Sequence, residues 1–224
     1  MKQILIIGAG GHGREIAQLV RDINRKSNSW ELLGYLDENK SLTNQWLNGF
    51  PVLGTLDLLQ LELYRSVYVI CAIGKVQVRK KLVNHLKNKF SWVKFATLIH
   101  PTAVVGDEIV IGEGSVICAN SVVTTNVTLG QHVLINYGCT IGHDSLLEDF
   151  ATILPGSNLS GNVTIRTCVE VGTGTAIIPG VEIKANTIVG AGAVVTRSLP
   201  ADCTAVGVPA KVMKFQGPAC VEGD

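Results

Sequence analysis

The sequence predicts an α/β unit followed by an all-β solenoid, a parallel β-helix, and two observations predict it. The first is a period of six. Every sixth residue from Ile99 onward is Val, Ile or Leu: Ile99, Val105, Ile111, Ile117, Val123, Leu129, Ile135, Ile141, Leu147, Ile153, Leu159, Ile165, Val171, Ile177, Ile183, Val189 and Val195. With roughly a third of the chain aliphatic, an unbroken run of that length has odds on the order of one in 10^8. The second observation is the start of the chain, where a short apolar run enters a glycine-rich turn and then a helical pattern. The domain limits that follow are 1–97 for the α/β unit, 98–200 for the solenoid and 201–224 for a closing tail.

Within each hexad a second residue, four places on, is small or apolar, as at Ser121, Val127, Val133, Cys139 and Ser145, and glycine often follows the aliphatic, as at Gly106, Gly130 and Gly142. Two buried positions and a turn in six residues are the signature of a parallel β-helix. Three hexads make one triangular coil, so residues 18 apart stack at the spacing of neighbouring strands, about 4.8 Å. The length gives about five coils. The inward positions are read as apolar, which leaves the corners for chemistry.

In chain order, Gln3 to Ile7 reads as a buried strand that ends at Gly8-Ala9-Gly10-Gly11-His12-Gly13. Arg14 to Arg25 then carries helical spacing at Ile16, Leu19, Val20 and Ile23. Strand, GxGxxG and helix read as a nucleotide-binding turn, with backbone N–H groups at a helix N-terminus facing phosphate, the competing reading being a merely structural glycine turn. A second strand, Glu31 to Leu36, ends at the acids Asp37 and Glu38, where such a unit places a ribose ligand.

The rest of this unit is short. Phe50 to Gly54 reads as a turn region, Leu56 to Tyr64 as a helix, Val67 to Ile73 as a strand ending at Gly74, and Ser91 to Leu98 as a last strand. Val76 to Phe90 is an amphipathic helix whose Lys80, Lys81, Lys87 and Lys89 read as its solvated face, and His85 on it takes no role. About 95 residues are too few for a full dinucleotide fold, so a half-Rossmann unit holding a mononucleotide is expected.

Composition narrows the partners. A net charge of +1 and the lack of a basic run argue against a nucleic-acid surface. There is no apolar run of about 20 residues, so no membrane span is predicted. Six cysteines, Cys71, Cys118, Cys139, Cys168, Cys203 and Cys220, have no CxxC spacing and read as free buried thiols, which fits a reducing cytoplasm. After Val195 the repeat fails at Ser198-Leu199-Pro200, and Gly217 to Asp224 reads as a frayed end.

Two histidines fall on corners of the repeat, His132 and His143. His143 precedes Asp144 in the hexad Ile141-Gly142-His143-Asp144-Ser145-Leu146, and Gly161 lies one coil on in the same phase. An imidazole takes a proton from an attacking amine or hydroxyl. A nearby backbone N–H at Gly161 would serve the developing oxyanion. The competing reading of His143 is an exposed corner histidine without function, and His12 has its own plain reading as a helix N-terminal residue. His132 and His100 are read as structural or exposed.

The IIGAGGHG turn, the acid pair, Ala72-Ile73-Gly74, the uninterrupted hexads, Ile141-Gly142-His143-Asp144 and the final Gly207-Val208-Pro209-Ala210-Lys211 occur in a fixed order. In that order they resemble, over the whole chain, the bacterial sugar O-/N-acetyltransferases of the PglD/NeuD type, a branch of the hexapeptide-repeat acyltransferases. The resemblance implies a left-handed β-helix, a homotrimer with sites at subunit interfaces, acetyl-CoA as co-substrate and no metal. It implies His143 as general base, supported by Asp144. Acetyl-CoA contacts carry over to Thr152, Gly161, Thr173 and Ala191. Nucleotide-sugar contacts carry over to Gly10, Gly11, His12, Asp37, Glu38, Gly74 and Asn136. Two departures are visible: an aspartate at 144 where other members have glutamate, and Thr152 where many have a second histidine.

The expected activity is therefore acetyl transfer to the amino group of a nucleotide-activated 4-amino-4,6-dideoxy sugar, for surface polysaccharide or glycan synthesis. Its rivals are O-acetylation of a sialic-acid-like sugar, for which the same base serves, and a non-catalytic trimer that only binds nucleotide sugar. A β-helix carbonic anhydrase needs three converging histidines, and His100, His132 and His143 occupy different phases. A dehydrogenase is suggested by GxGxxG alone.

Overall fold

The computed structural model describes residues 1–215, which divide into two compact units, Met1–Pro101 and the residues from Thr102 onward. The expected frayed end at 217–224 and Cys220 lie outside the described residues.

In the first unit, β1 (Lys2–Ile7) buries Ile4, Leu5, Ile6 and Ile7 at the centre of a sheet. The helix α1 (Gly11–Ser27) lays Ile16, Ala17, Leu19, Val20 and Ile23 against it. Next come β2 (Trp30–Leu36), β3 (Trp46–Leu47), β4 (Phe50–Gly54), β5 (Tyr68–Cys71), α2 (Val76–Lys89) and β6 (Lys94–Phe95). The sheet order is β3-β4-β2-β1-β5-β6, parallel throughout except for the antiparallel β3–β4 pair. Ligands of such sheets sit at the carboxyl ends of the strands, where Gly8, Asp37 and Ile73 are found.

Three sequence expectations are corrected here. Phe50–Gly54 is a strand, not a turn region, with Val52 fully buried opposite Tyr35. Pro51 marks it as an unlikely inner strand in sequence terms, but only the short β3 lies beyond it. Residues 56–64 form two 3-10 turns, Leu56–Gln60 and Glu62–Tyr64, because the buried face stops at Leu56 and Leu59 while Leu61 and Leu63 are exposed. The segment expected as one strand over 91–98 holds two short ones, Lys94–Phe95 and Leu98–Ile99.

The second unit is a parallel β-helix of two-residue strands paired at a register of 18. Ile117 pairs with Ile135, Ile135 with Ile153, Ile153 with Val171 and Val171 with Val189 on one face. The other two faces repeat the same step, as in Val123↔Ile141 and Leu129↔Leu147. The inward aliphatics from Ile117 to Val195 are at most 2% exposed, whereas Val105 and Ile111 are partly buried and Ile99 is exposed. From Glu108 to Gly192 every sixth residue has a positive φ, one left-handed residue per corner. Asparagine and glycine fill most of these sites because they tolerate that conformation.

The inward face is not wholly apolar, contrary to expectation. Buried Ser121 donates its hydroxyl to Asn136 O at 2.6 Å and accepts from Cys139 N at 3.3 Å, so it stitches one coil to the next. Ser115 does the same with Gly130 O and Val133 N. Each hydroxyl meets backbone groups that would otherwise lack a partner. At the carboxyl end, Cys203–Val206 pairs parallel to Ile188–Val189 and antiparallel to Lys211–Phe215, extending one face of the solenoid.

The cysteines among the described residues are free and buried. Burial pushes the Cys71 thiol up to about 12, so it stays protonated and unreactive at neutral pH. Among the described residues no helix is long and apolar enough to cross a membrane, and no group of three His, Cys, Asp or Glu is placed to hold a metal.

Candidate active site

His143 and Asp144 stand on the corner between strands Thr140–Ile141 and Leu146–Leu147. Ile141 and Ser145 point inward and anchor the turn, Asp144 takes the left-handed conformation (φ 57°), and His143 is left at the tip with its side chain 58% exposed. The main chain is fixed from both sides: Asn162 N donates to His143 O at 2.8 Å, and Asp144 N donates to Thr125 O at 3.2 Å. The left-handed turn folds the carboxylate back along the ring, and Asp144 Oδ2 lies 2.7 Å from His143 Nδ1. A carboxylate at that nitrogen holds a proton there and leaves the Nε2 lone pair facing outward.

Below Nε2 lies Gly161. A β-carbon built on it would fall on Nε2 and Cε1 of His143, so the imidazole rests on a bare α-carbon. The Gly161 N–H donates no hydrogen bond among the described residues, while its carbonyl accepts from Gly180 N at 3.2 Å. An imidazole, a carboxylate in contact with it and an unengaged backbone N–H thus occupy one edge of the prism.

The other residues expected in this unit are placed differently. Asn136, Thr173 and Ala191 lie on the next edge, between the faces carrying Leu134–Ile135 and Thr140–Ile141, so one chain does not bring them to His143. Asn136 is 8% exposed, its Oδ1 accepting from Tyr137 N at 3.1 Å. Thr173 and Ala191 are exposed and stack 18 residues apart, joined through the Gly192 N to Thr173 O bond at 2.8 Å. Thr152 is fully buried within a strand, its hydroxyl donating to Phe150 O at 3.4 Å, and presents no surface to a ligand in this chain. His132 is buried and stacked on Phe150, a structural position.

The first unit holds a separate cleft of about 520 Å³ at the carboxyl ends of β1 and β2. Its walls include Ile7, Leu36, Leu56, Ile73 and Leu82, and its rim carries Asp37, Glu38, Asp57, Lys81, His85 and Lys89. Gly13 permits the turn above it, because a β-carbon there would strike the Gly8 carbonyl. Asp37 is bound into that turn, its Oδ2 accepting from Ala9 N at 2.7 Å and its Oδ1 from Asn39 N at 2.9 Å. Glu38 Oε1 accepts from Leu56 N at 3.1 Å.

Around Gly10, Gly11 and Gly74 the space where a side chain would stand is open. His12 lies beside that opening with Nδ1 3.1 Å from Glu15 Oε2. Burial lowers its pKa, partly opposed by Glu15, and Arg79 adds to the lowering. Arg79 itself is buried and donates to Ile73 O at 2.9 Å and Gly74 O at 3.1 Å, fixing the loop after β5.

Lys81, His85 and Lys89 correct the sequence reading, which left this helix face to solvent and His85 without a role. They recur at four-residue steps along α2, so they form one stripe beside the cleft. That spacing is visible in the sequence. What it faces is not.

Residues 3–86 match the PglD N-terminal domain family. The chain is 34% identical over 216 residues to the GDP-perosamine N-acetyltransferase of Escherichia coli O157:H7, covering 93% of this chain and 95% of that one. It superposes with a TM-score of 0.86 on PerB from Caulobacter crescentus in complex with CoA and GDP-perosamine, at 31% identity over 96% of this chain and 98% of that one. The acetyltransferase domain of PglB from Neisseria gonorrhoeae FA1090 in complex with acetyl coenzyme A matches with a TM-score of 0.82 and 32% identity, over 95% and 99% of the two chains. The solenoid is the left-handed β-helix of these structures. A glycine turn leading into an α/β sheet, followed by an unbroken hexad prism, is their architecture, and the chain belongs to the PglD-type sugar acetyltransferases, which use acetyl-CoA.

Proposed function

We propose that this chain transfers the acetyl group of acetyl-CoA to the amino group of a nucleotide-activated 4-amino-4,6-dideoxy sugar. The observation that carries the reading is the His143 imidazole, held by Asp144 with Nε2 directed over the bare Gly161 α-carbon. Nitrogen rather than oxygen as the acceptor is supported by the E. coli and C. crescentus relatives, one a GDP-perosamine N-acetyltransferase by name and the other bound to GDP-perosamine.

In the proposed reaction the sugar ammonium first loses a proton to solvent. His143 Nε2 then takes a second proton as the amine nitrogen bonds to the thioester carbonyl carbon. The Gly161 N–H donates to the oxygen that becomes negative. As the carbon–sulfur bond breaks, the imidazolium returns its proton to the departing thiolate, and the base is regenerated. Asp144 keeps Nδ1 protonated through the cycle and stabilises the imidazolium.

The first unit is proposed as the nucleotide site, with Gly10, Gly11, His12 and Gly74 at the phosphates and Asp37 and Glu38 along the cleft. What supports this is the open backbone at the glycines and the helix N-terminus at Gly11. The proposed assembly is a cytoplasmic homotrimer, in which the edge bearing His143 of one subunit and the edge bearing Asn136, Thr173 and Ala191 of its neighbour flank acetyl-CoA. The distribution of these residues over two edges of one chain supports it. The product would enter surface polysaccharide or glycan synthesis.

The test is a thiol-release assay with acetyl-CoA and a panel of acceptors, with the product identified by mass spectrometry. Release with nucleotide-linked 4-amino sugars and an acetyl group on nitrogen is expected. Release only with hydroxyl acceptors such as sialic acid would overturn the reading.

A further inference from the structure

We infer that the cleft of the first unit selects guanine as the base of the nucleotide, with the Glu38 carboxylate as the group that reads it. The inference rests on the nucleotide-sugar reading above and narrows it to one base.

The walls Ile7, Leu36, Leu56, Ile73 and Leu82 suit the faces of a flat ring, and the discrimination is left to the rim. Asp37 has both oxygens tied to backbone N–H groups of its own loop and turn. Glu38 differs. Its Oε1 is anchored by Leu56 N at 3.1 Å, and its Oε2 meets no donor among the described residues. The anchor fixes the carboxylate at the cleft without using up its acceptor capacity, since an ionised carboxylate has about four lone-pair sites.

A fixed carboxylate at the edge of a base site favours a base with adjacent N–H donors. Guanine presents N1–H and N2–H side by side. Uracil and thymine present one N3–H between two carbonyl oxygens, which a carboxylate repels. Adenine and cytosine present a single amino group next to a ring nitrogen acceptor. On its other edge guanine carries the O6 and N7 acceptors, the usual partners of lysine. The α2 stripe supplies that cation. Lys89 is held by Asp57 at 3.0 Å, whereas Lys81 forms no ion pair among the described residues and is exposed at the rim. Acceptor and donor therefore line the same cleft, as a base with N–H donors on one edge and acceptors on the other requires.

Titration calorimetry on the whole chain with GDP, IDP, UDP, dTDP and ADP tests this. IDP is the informative probe, because it lacks only the 2-amino group. The wild type should bind GDP at least about 10-fold tighter than IDP or UDP. Glu38→Gln keeps an oxygen for Leu56 N but replaces an acceptor with a donor, and both ratios should fall toward one. If that variant does not fold, Glu38→Asp withdraws the carboxylate by one methylene, and GDP binding should weaken while UDP binding holds. UDP bound as tightly as GDP by the wild type, or ratios unchanged in the variant that folds, would overturn the inference. The acetyl-transfer assay separates the two claims. Guanine preference without transfer removes the acetylation reading and keeps this one. Transfer without base preference removes this one alone.

Discussion

The imidazole of His143 lies directly over the α-carbon of Gly161, one coil further along the same edge, with no room for a methyl group between them. The φ of Gly161 is not in the left-handed region, so the backbone itself accepts alanine. With the ring 58% exposed, the clash is relieved by turning the imidazole away, not by unfolding. Gly161→Ala should therefore leave the thermal midpoint within about 2 °C and lower kcat by about 10^2-fold, the cost of misplacing a catalytic group by about 1 Å. Steady-state kinetics beside a thermal melt checks both halves.

In the proposed mechanism Asp144 accepts a hydrogen bond from Nδ1–H and leaves the proton on the ring. An asparagine tolerates the same left-handed backbone, yet its amide can donate to Nδ1 and favour the tautomer in which Nε2 is protonated and useless as a base. Asp144→Asn should fold normally and lose kcat by about 10-fold or more, with KM for acetyl-CoA little changed. Wild-type turnover in this variant would remove Asp144 from the mechanism.

Ser121 reports on the solenoid rather than the site. Its hydroxyl satisfies Asn136 O and Cys139 N in a fully buried layer. Ser121→Ala should lower unfolding stability by about 1–3 kcal/mol, the desolvation cost of those backbone groups. Denaturant unfolding checks this, and a neutral result would mean that the coils close the gap by themselves.

The partly buried His12 sets a pH dependence. Its folded pKa lies below the ordinary histidine value of 6.5, chiefly through partial burial, so the unfolded chain takes up this proton first as pH falls. The folded state then loses stability on acidification through 6.5, until the pH drops below the folded pKa and the penalty is complete. Above 6.5 the group contributes nothing. Melts of wild type and His12→Gln between about pH 7.5 and 5.5 should show the variant gaining relative to the wild type as pH falls. A constant difference would contradict the assignment.

How much of this was legible in the sequence depends on how local each signal is. The hexad aliphatics announce the prism because each inward position repeats the same environment, and Ile117 to Val195 are buried as the period requires. The left-handed corners are only half visible: Asn120, Asn126, Asn162 and Asn186 advertise them, whereas His132, Phe150 and Cys168, all buried, hold the same conformation without asparagine's preference for it. The pairing of His143 with Asp144 was readable as adjacency. Its geometry depends on the φ of Asp144. Phe50–Gly54 was hidden by Pro51, since its strand character comes from β2 beside it. The stripe Lys81, His85 and Lys89 looked like a solvated helix face, because the cleft it borders is made by residues from β1, β2 and the loop after β5, distant in sequence.

The central claim is that one imidazole on the edge of the prism takes the proton of the acceptor amine. Its most direct test is the initial rate of acetyl-CoA-dependent thiol release by His143→Ala, with acetyl-CoA binding measured in parallel by calorimetry. The account predicts a fall in kcat of about 10^2-fold or more with coenzyme affinity nearly unchanged. Turnover close to that of the wild type, with a nucleotide-linked 4-amino sugar as acceptor, would contradict it.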